Sequence, residues 1–123
     1  MARREIAPEV FLAGVPLFKE LDTATLGRLA ASTTRRTLKR GETLFHKGDT
    51  ATGMYVVVYG EVKLVSSTPA RGARLSGIVG AGQSFGEPVM FLERPALVEA
   101  QAASDALLLH LPREVVFGEI ERS

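Results

Sequence analysis

The chain has no cysteine. That absence excludes disulfides, thiolate zinc sites, cysteine-ligated iron–sulfur clusters and any cysteine nucleophile. Net charge is nearly absent too: 15 Lys and Arg against 14 Asp and Glu leave +1, so nothing draws the chain as a whole toward a polyanion. Its basic residues are scattered apart from the pairs Arg3-Arg4, Arg35-Arg36 and Lys39-Arg40. Long apolar runs are missing as well. The stretch from Met54 to Tyr59 falls far short of the ~20 residues that cross a bilayer, and the opening Met-Ala-Arg-Arg-Glu has no apolar signal-peptide core. A soluble cytoplasmic chain with no membrane partner is the expectation. The only histidines are His46 and His110, and they form no His-x-His pair, so the ligand cluster of a metal-dependent oxygenase is lacking. Neither a nucleophile–histidine–acid arrangement nor a phosphate-cradling loop of the Walker type occurs, and the chain is not expected to be an enzyme. With no repeat, low-complexity tract or interdomain linker, its 123 residues read as one domain.

What is present has the balance of a globular protein, 46% hydrophobic and 24% charged. The first third is helical in pattern. Leu21, Leu26, Leu29 and Ala30 recur at near-helical spacing behind Asp22, a residue that caps a helix by accepting from its first free N–H groups, and a shorter helix is predicted around Pro8 to Ala13. From Arg40 the character changes, because nine of the twelve glycines fall between Gly41 and Gly86 and punctuate short Val-, Leu-, Ile-, Tyr- and Thr-rich segments. The predicted strands are Thr34–Leu38, Thr43–His46, Met54–Tyr59, Glu61–Ser66, Arg74–Val79, Val98–Ala103 and Ala106–Leu111. Tight turns fall at Arg40-Gly41, Gly48-Asp49 and Tyr59-Gly60, and Ser67 to Gly72 reads as an exposed hairpin tip. Closely spaced strands with polar turns favour a roll or barrel, so the fold class is mainly β with flanking helices. The expected layout is short N-terminal helices over 8–33, a β-roll over 34–111 and a helix beginning at Pro112, where proline suits a first helical position.

Several features in order resemble the cyclic-nucleotide-binding domain family. They are Val15-Pro16-Leu17-Phe18 with Leu21, Lys39-Arg40-Gly41-Glu42 with Phe45, Gly48-Asp49, Met54-Tyr55-Val56-Val57, Gly60-Glu61-Val62, Gly80 with Gly82, and Phe85-Gly86-Glu87. The match resembles the N-terminal sensor half of a Crp/Fnr-type transcription regulator, which implies a double-stranded β-helix or jelly-roll fold. The resemblance also implies a small-molecule effector, a cyclic nucleotide such as cAMP, relayed to a DNA-binding domain absent from this chain. It implies a homodimer paired through the helix after the roll.

The segment Phe85-Gly86-Glu87-Pro88-Val89-Met90-Phe91-Leu92-Glu93-Arg94-Pro95-Ala96 stands where that family places its phosphate-binding cassette. Carried over, Glu87 accepts from a ribose hydroxyl and Arg94 pairs with the cyclic phosphate, and the expected ligand-binding set is Phe85, Gly86, Glu87, Arg94, Pro95 and Ala96. Two departures are visible. Pro95 replaces the usual small residue and offers neither a hydroxyl nor an N–H, and only six residues separate Glu87 from Arg94. The same segment also resembles a branch with nitric-oxide-responsive, heme-associated members, which would use an apolar pocket lined by Val89, Met90, Phe91 and Leu92. A heme is the alternative cofactor, with His46 or His110 as the axial ligand to consider. A roll that only dimerises, without ligand, is the third reading.

Overall fold

A computed structural model describes residues 7–122; the Arg3-Arg4 pair and the last residue of the predicted C-terminal helix, Ser123, lie outside the described residues. The N-terminal part forms helix α1 (Pro8–Ala13), a single 3-10 turn at Pro16–Phe18, and helix α2 (Thr23–Ala31). Asp22 caps α2 as its sequence position predicts: its Oδ1 accepts from the Thr25 N–H at 2.8 Å. Hydrogen bonds from the Thr25 side chain and backbone hold the Asp22 carboxyl below the ordinary value of 3.8.

Eight strands follow, β1 (Thr34–Leu38), β2 (Thr43–Phe45), β3 (Gly53–Tyr59), β4 (Val62–Thr68), β5 (Gly72–Val79), β6 (Ser84–Phe85), β7 (Glu99–Ala102) and β8 (Ala106–Pro112). A short helix α3 (Glu87–Leu92) sits between β6 and β7, and α4 (Arg113–Arg122) follows β8. The strands make two four-stranded antiparallel sheets, ordered β1-β8-β3-β6 and β2-β7-β4-β5, the β-roll expected from the glycine punctuation. Gly60 shows why that punctuation matters: its φ is 84°, and a Cβ there would lie 2.3 Å from the Asp105 carbonyl oxygen. No other residue fits that reversal.

Alternation along β3 and β8 divides the interior in two. Met54, Val56 and Val58 with Leu107, Leu109 and Leu111 turn to the helices, where Leu12, Phe18, Leu29 and Val116 pack against them. Val57 and Leu108 turn into the roll, among Leu38, Val62, Phe85 and the small Ala100, Ala102 and Ala106. A period of two on one strand thus serves both layers.

Several predicted boundaries move, and one strand, β6, is not among those predicted. Pro112 does not open the last helix: it ends β8, paired opposite Gly53, and the first helical residue is Arg113, whose N–H donates to the Thr52 carbonyl at 3.0 Å. The roll therefore runs from 34 to 112 and the helix starts one residue later. The hairpin tip is shorter than predicted, because β4 continues to Thr68 and β5 starts at Gly72, paired with each other. Strand β6, too short to carry a periodic signal, pairs with β3 through Tyr55↔Phe85 and Val56↔Ser84 and so fixes where the cassette begins. Among the described residues, no helix is long and apolar enough to cross a membrane.

Candidate functional site

The cassette is assembled from four constraints that its sequence imposes. Gly86 takes φ 94°, turning the chain sharply from β6 into α3, and Pro88 stands in the first turn, where a missing N–H breaks no helical bond. At the other end Glu93 closes α3 in a left-handed conformation, φ 54°, with its N–H toward the Met90 carbonyl at 3.4 Å and the Arg94 N–H on the Val89 carbonyl at 3.1 Å. This is the helix-ending pattern usually built on glycine. Ala96 then straps the cassette to the turn after β2: its N–H donates to the Asp49 carbonyl and its carbonyl accepts from the Gly48 N–H, each at 2.8 Å.

These constraints sort the six predicted residues into three places. Phe85, Gly86 and Ala96 wall an apolar cavity of about 190 Å3 between the cassette and the roll, closed on the roll side by Phe45 and Leu64. Phe85 also stacks on Tyr55, ring centroids 5.3 Å apart, with Phe45 6.3 Å from Phe85. Burial raises the Tyr55 hydroxyl above its ordinary 10.0, so it stays protonated at neutral pH. Glu87 is half-buried at the start of α3, and its Oε2 accepts from the Ser84 hydroxyl at 2.6 Å. Arg94 and Pro95 line a different space, an open groove of about 600 Å3 shared with Thr50, Thr52, His110 and Arg113. Closing α3 directly with Glu93 leaves Arg94 at the end of the helix, on the groove side. The backbone N–H groups of Arg94 and Ala96 are both in use, and Pro95 has none.

The cassette is joined to the last helix by one residue that the sequence pattern does not single out. Arg113 ion-pairs with Glu93 at 2.7 Å, donates from Nε to the Met90 carbonyl at 3.2 Å, and lays its guanidinium 4.4 Å from the centre of the Phe117 ring. Phe117 in turn stacks on Phe91 of α3 at 5.3 Å. Farther along α4, Glu119 accepts from Arg28 of α2 at 2.9 Å. The α3–α4 contact therefore combines an aromatic stack, a cation–π contact and a charged hydrogen bond, each worth about 0.5–3 kcal/mol in favourable settings. The only local signal for it is position: Arg113 follows the proline that ends the final strand.

The apolar cavity does not suit a heme. It contains no histidine. His46 is exposed, with carboxylates of Asp49 and Glu99 each 3.9 Å away, and His110 shares a 3.1 Å hydrogen bond with the Thr52 hydroxyl against the Tyr55 ring. Among the described residues, no cluster of three or more His, Asp or Glu could hold a metal ion. The cavity, lined by Phe45, Leu64, Phe85, Val89 and Val98, can take up a small apolar group.

This arrangement of roll, cassette and following helix defines a regulatory, ligand-sensing fold rather than a catalytic one. The cyclic nucleotide-binding domain family matches residues 35–123, and the chain belongs to that family. It is 30% identical over 111 residues to the cyclic AMP receptor protein of Thermus thermophilus, covering 90% of this chain and 51% of that protein. It is 31% identical over 100 residues to a cyclic nucleotide-gated potassium channel of Rhizobium etli, covering 81% of this chain and 26% of the channel. The N-terminal domain of a transcriptional regulator from Streptomyces coelicolor A3(2) superposes with a TM-score of 0.81 at 33% identity, over 91% of this chain and 80% of that one. The chain spans about half the length of the first of these curated relatives and about a quarter of the second.

Proposed function

We propose that this chain is the effector-sensing part of a cytoplasmic Crp/Fnr-type transcription regulator and that its effector is a cyclic nucleotide such as cyclic AMP. The base occupies the apolar cavity against Phe85, Gly86, Ala96 and Leu64, Glu87 meets the ribose, and Arg94 swings from the groove edge to the phosphate past Pro95. Helix α4 continues into a pairing helix, and a DNA-binding domain outside this chain reads out its placement. The observation that carries this reading is the coupling: the cassette that walls the cavity is bonded to α4 through Arg113 and Phe117. A ligand that binds one placement of the cassette better than another thereby shifts the population of α4 placements.

A roll that keeps the fold without a ligand is favoured by one observation. The Ala96 N–H, a donor that could face a phosphate, is engaged by Asp49. Thermal unfolding of the purified chain with cyclic AMP and cyclic GMP separates the two. At about 100 times its dissociation constant a ligand adds roughly 2.7 kcal/mol, and Arg94→Ala weakens an Arg–phosphate contact by about 10–100-fold. A saturable shift lost in Arg94→Ala supports the sensor. Absence of any shift with either nucleotide leaves the ligand-free roll.

A further inference from the structure

His110 stands where the open groove meets the roll. It lines the groove together with Arg94, Arg113 and Thr50, and its ring shares a 3.1 Å hydrogen bond with the Thr52 hydroxyl. On its other side it packs 4.9 Å from the Tyr55 ring, which stacks on Phe85 of the cavity wall. Groove and cavity adjoin: a space of about 40 Å3 between them shares Thr50, Ala51 and Thr52 with the groove and Gly86, Val89 and Ala96 with the cavity. An effector whose base fills the cavity and whose phosphate meets Arg94 would run past Thr52 and carry its negative charge toward His110. The same place bears on the last helix, since the Thr52 carbonyl accepts from the Arg113 N–H at 3.0 Å.

We propose that His110 is a specificity-determining residue of the effector site and makes binding proton-coupled, so that affinity for an anionic cyclic nucleotide rises as the pH falls. The inference deepens the effector reading and rests on it. A neutral ring can accept from the Thr52 hydroxyl, whereas a protonated one only donates and adds a positive charge beside Arg94. A cyclic phosphodiester keeps its single negative charge from neutral to mildly acid pH, so it favours the protonated ring. The groups facing His110 set the balance. Arg35 and Arg36 of β1, Arg94 of the cassette and Arg113 of α4 oppose a proton there. Glu93 and Glu114 favour one, but Glu93 is taken by Arg113 at 2.7 Å, and Tyr55 stays protonated and uncharged. Burial, against the pull of Glu114, keeps the ring neutral at pH values where a free histidine is already charging. An arriving anion tips it toward the charged form. By linkage, the effector raises the His110 midpoint by the same factor by which protonation raises the effector's affinity.

The test is a calorimetric titration of the chain with cyclic AMP at pH values from 7.5 down to 5. Affinity is expected to rise about three- to tenfold over that range, and the His110 ring resonance to titrate at higher pH with cyclic AMP bound than without it. His110→Gln, whose amide can still bond to Thr52, should give a flat profile. His46→Gln should keep the slope, because the His46 side chain is 68% exposed and lines neither the groove nor the cavity. That variant also identifies the remaining ring signal as His110. The ring titration uses the unaltered chain, so it decides the matter even where His110→Gln fails to fold. A slope that persists in His110→Gln, or a His110 midpoint that bound cyclic AMP leaves unmoved, overturns the proposal and leaves the effector reading standing. Absence of saturable binding at every pH overturns the effector reading and this inference with it.

Discussion

The two faces of β3 and β8 make the most instructive comparison in this molecule. On the helix side Met54, Val56, Leu109 and Leu111 are fully buried and meet large partners, Leu12, Phe18 and Leu29. On the roll side Val57 and Leu108 pack with Leu38, Val62 and the small Ala100 and Ala102, and Phe85, packed there too, also lines the apolar cavity together with Phe45 and Leu64. Close-packed side chains tolerate no lost methylene without a penalty, whereas small residues around a void leave room that a ligand can fill. The helix side is thus filled by its own side chains, whereas the roll side borders the cavity in which the effector is proposed to bind.

Paired truncations would break this contrast if it is wrong. Leu109→Ala, on the helix side, is expected to cost about 2–5 kcal/mol in urea unfolding, with effector affinity unchanged in the fraction that remains folded. Leu64→Ala, on the cavity wall and only half-buried, is expected to cost roughly 1 kcal/mol while weakening the effector several-fold. Comparable stability losses at the two positions would erase the distinction.

A smaller effect tests the edge between the two regions, where His110 stands. Burial holds the His110 pKa below its ordinary 6.5, against an opposing pull from Glu114. The unfolded chain therefore binds more protons than the folded one between the depressed folded value and 6.5, so stability rises with pH through that window and falls on acidification. Replacing His110 by Gln should flatten this slope in denaturant midpoints measured from pH 7.5 down to 5. Smallest of all is Leu75→Ser on the hairpin, where the side chain is 60% exposed. There unfolding should move by no more than about 0.5 kcal/mol.

Much of the fold could be read from local chemistry. Asp22 capping α2 and glycines marking the strand reversals are short-range signals, and both are where the pattern puts them. The errors lie where tertiary contact overrides local preference. Pro112 looks like a helix start, yet pairing with Gly53 keeps it in β8. For the site, Phe85, Gly86 and Ala96 share one cavity because strand β6 and the Asp49 strap fix both ends of the cassette. The direction of Arg94 could not be read, because it depends on Glu93 adopting a left-handed conformation that nothing in a Leu-Glu-Arg-Pro string announces. The role of Arg113 was hidden for a similar reason. Its partners Met90, Glu93 and Phe117 come from two helices that only the closed roll brings together.

The most direct test of the central claim is an amide chemical-shift titration of the chain with cyclic AMP. Coupled sensing predicts saturable shifts at Leu64, Phe85, Gly86 and Ala96, accompanied with the same midpoint by shifts at Val115 to Ile120. Shifts confined to the cavity, with α4 silent, or no saturable response at the cavity, would contradict it.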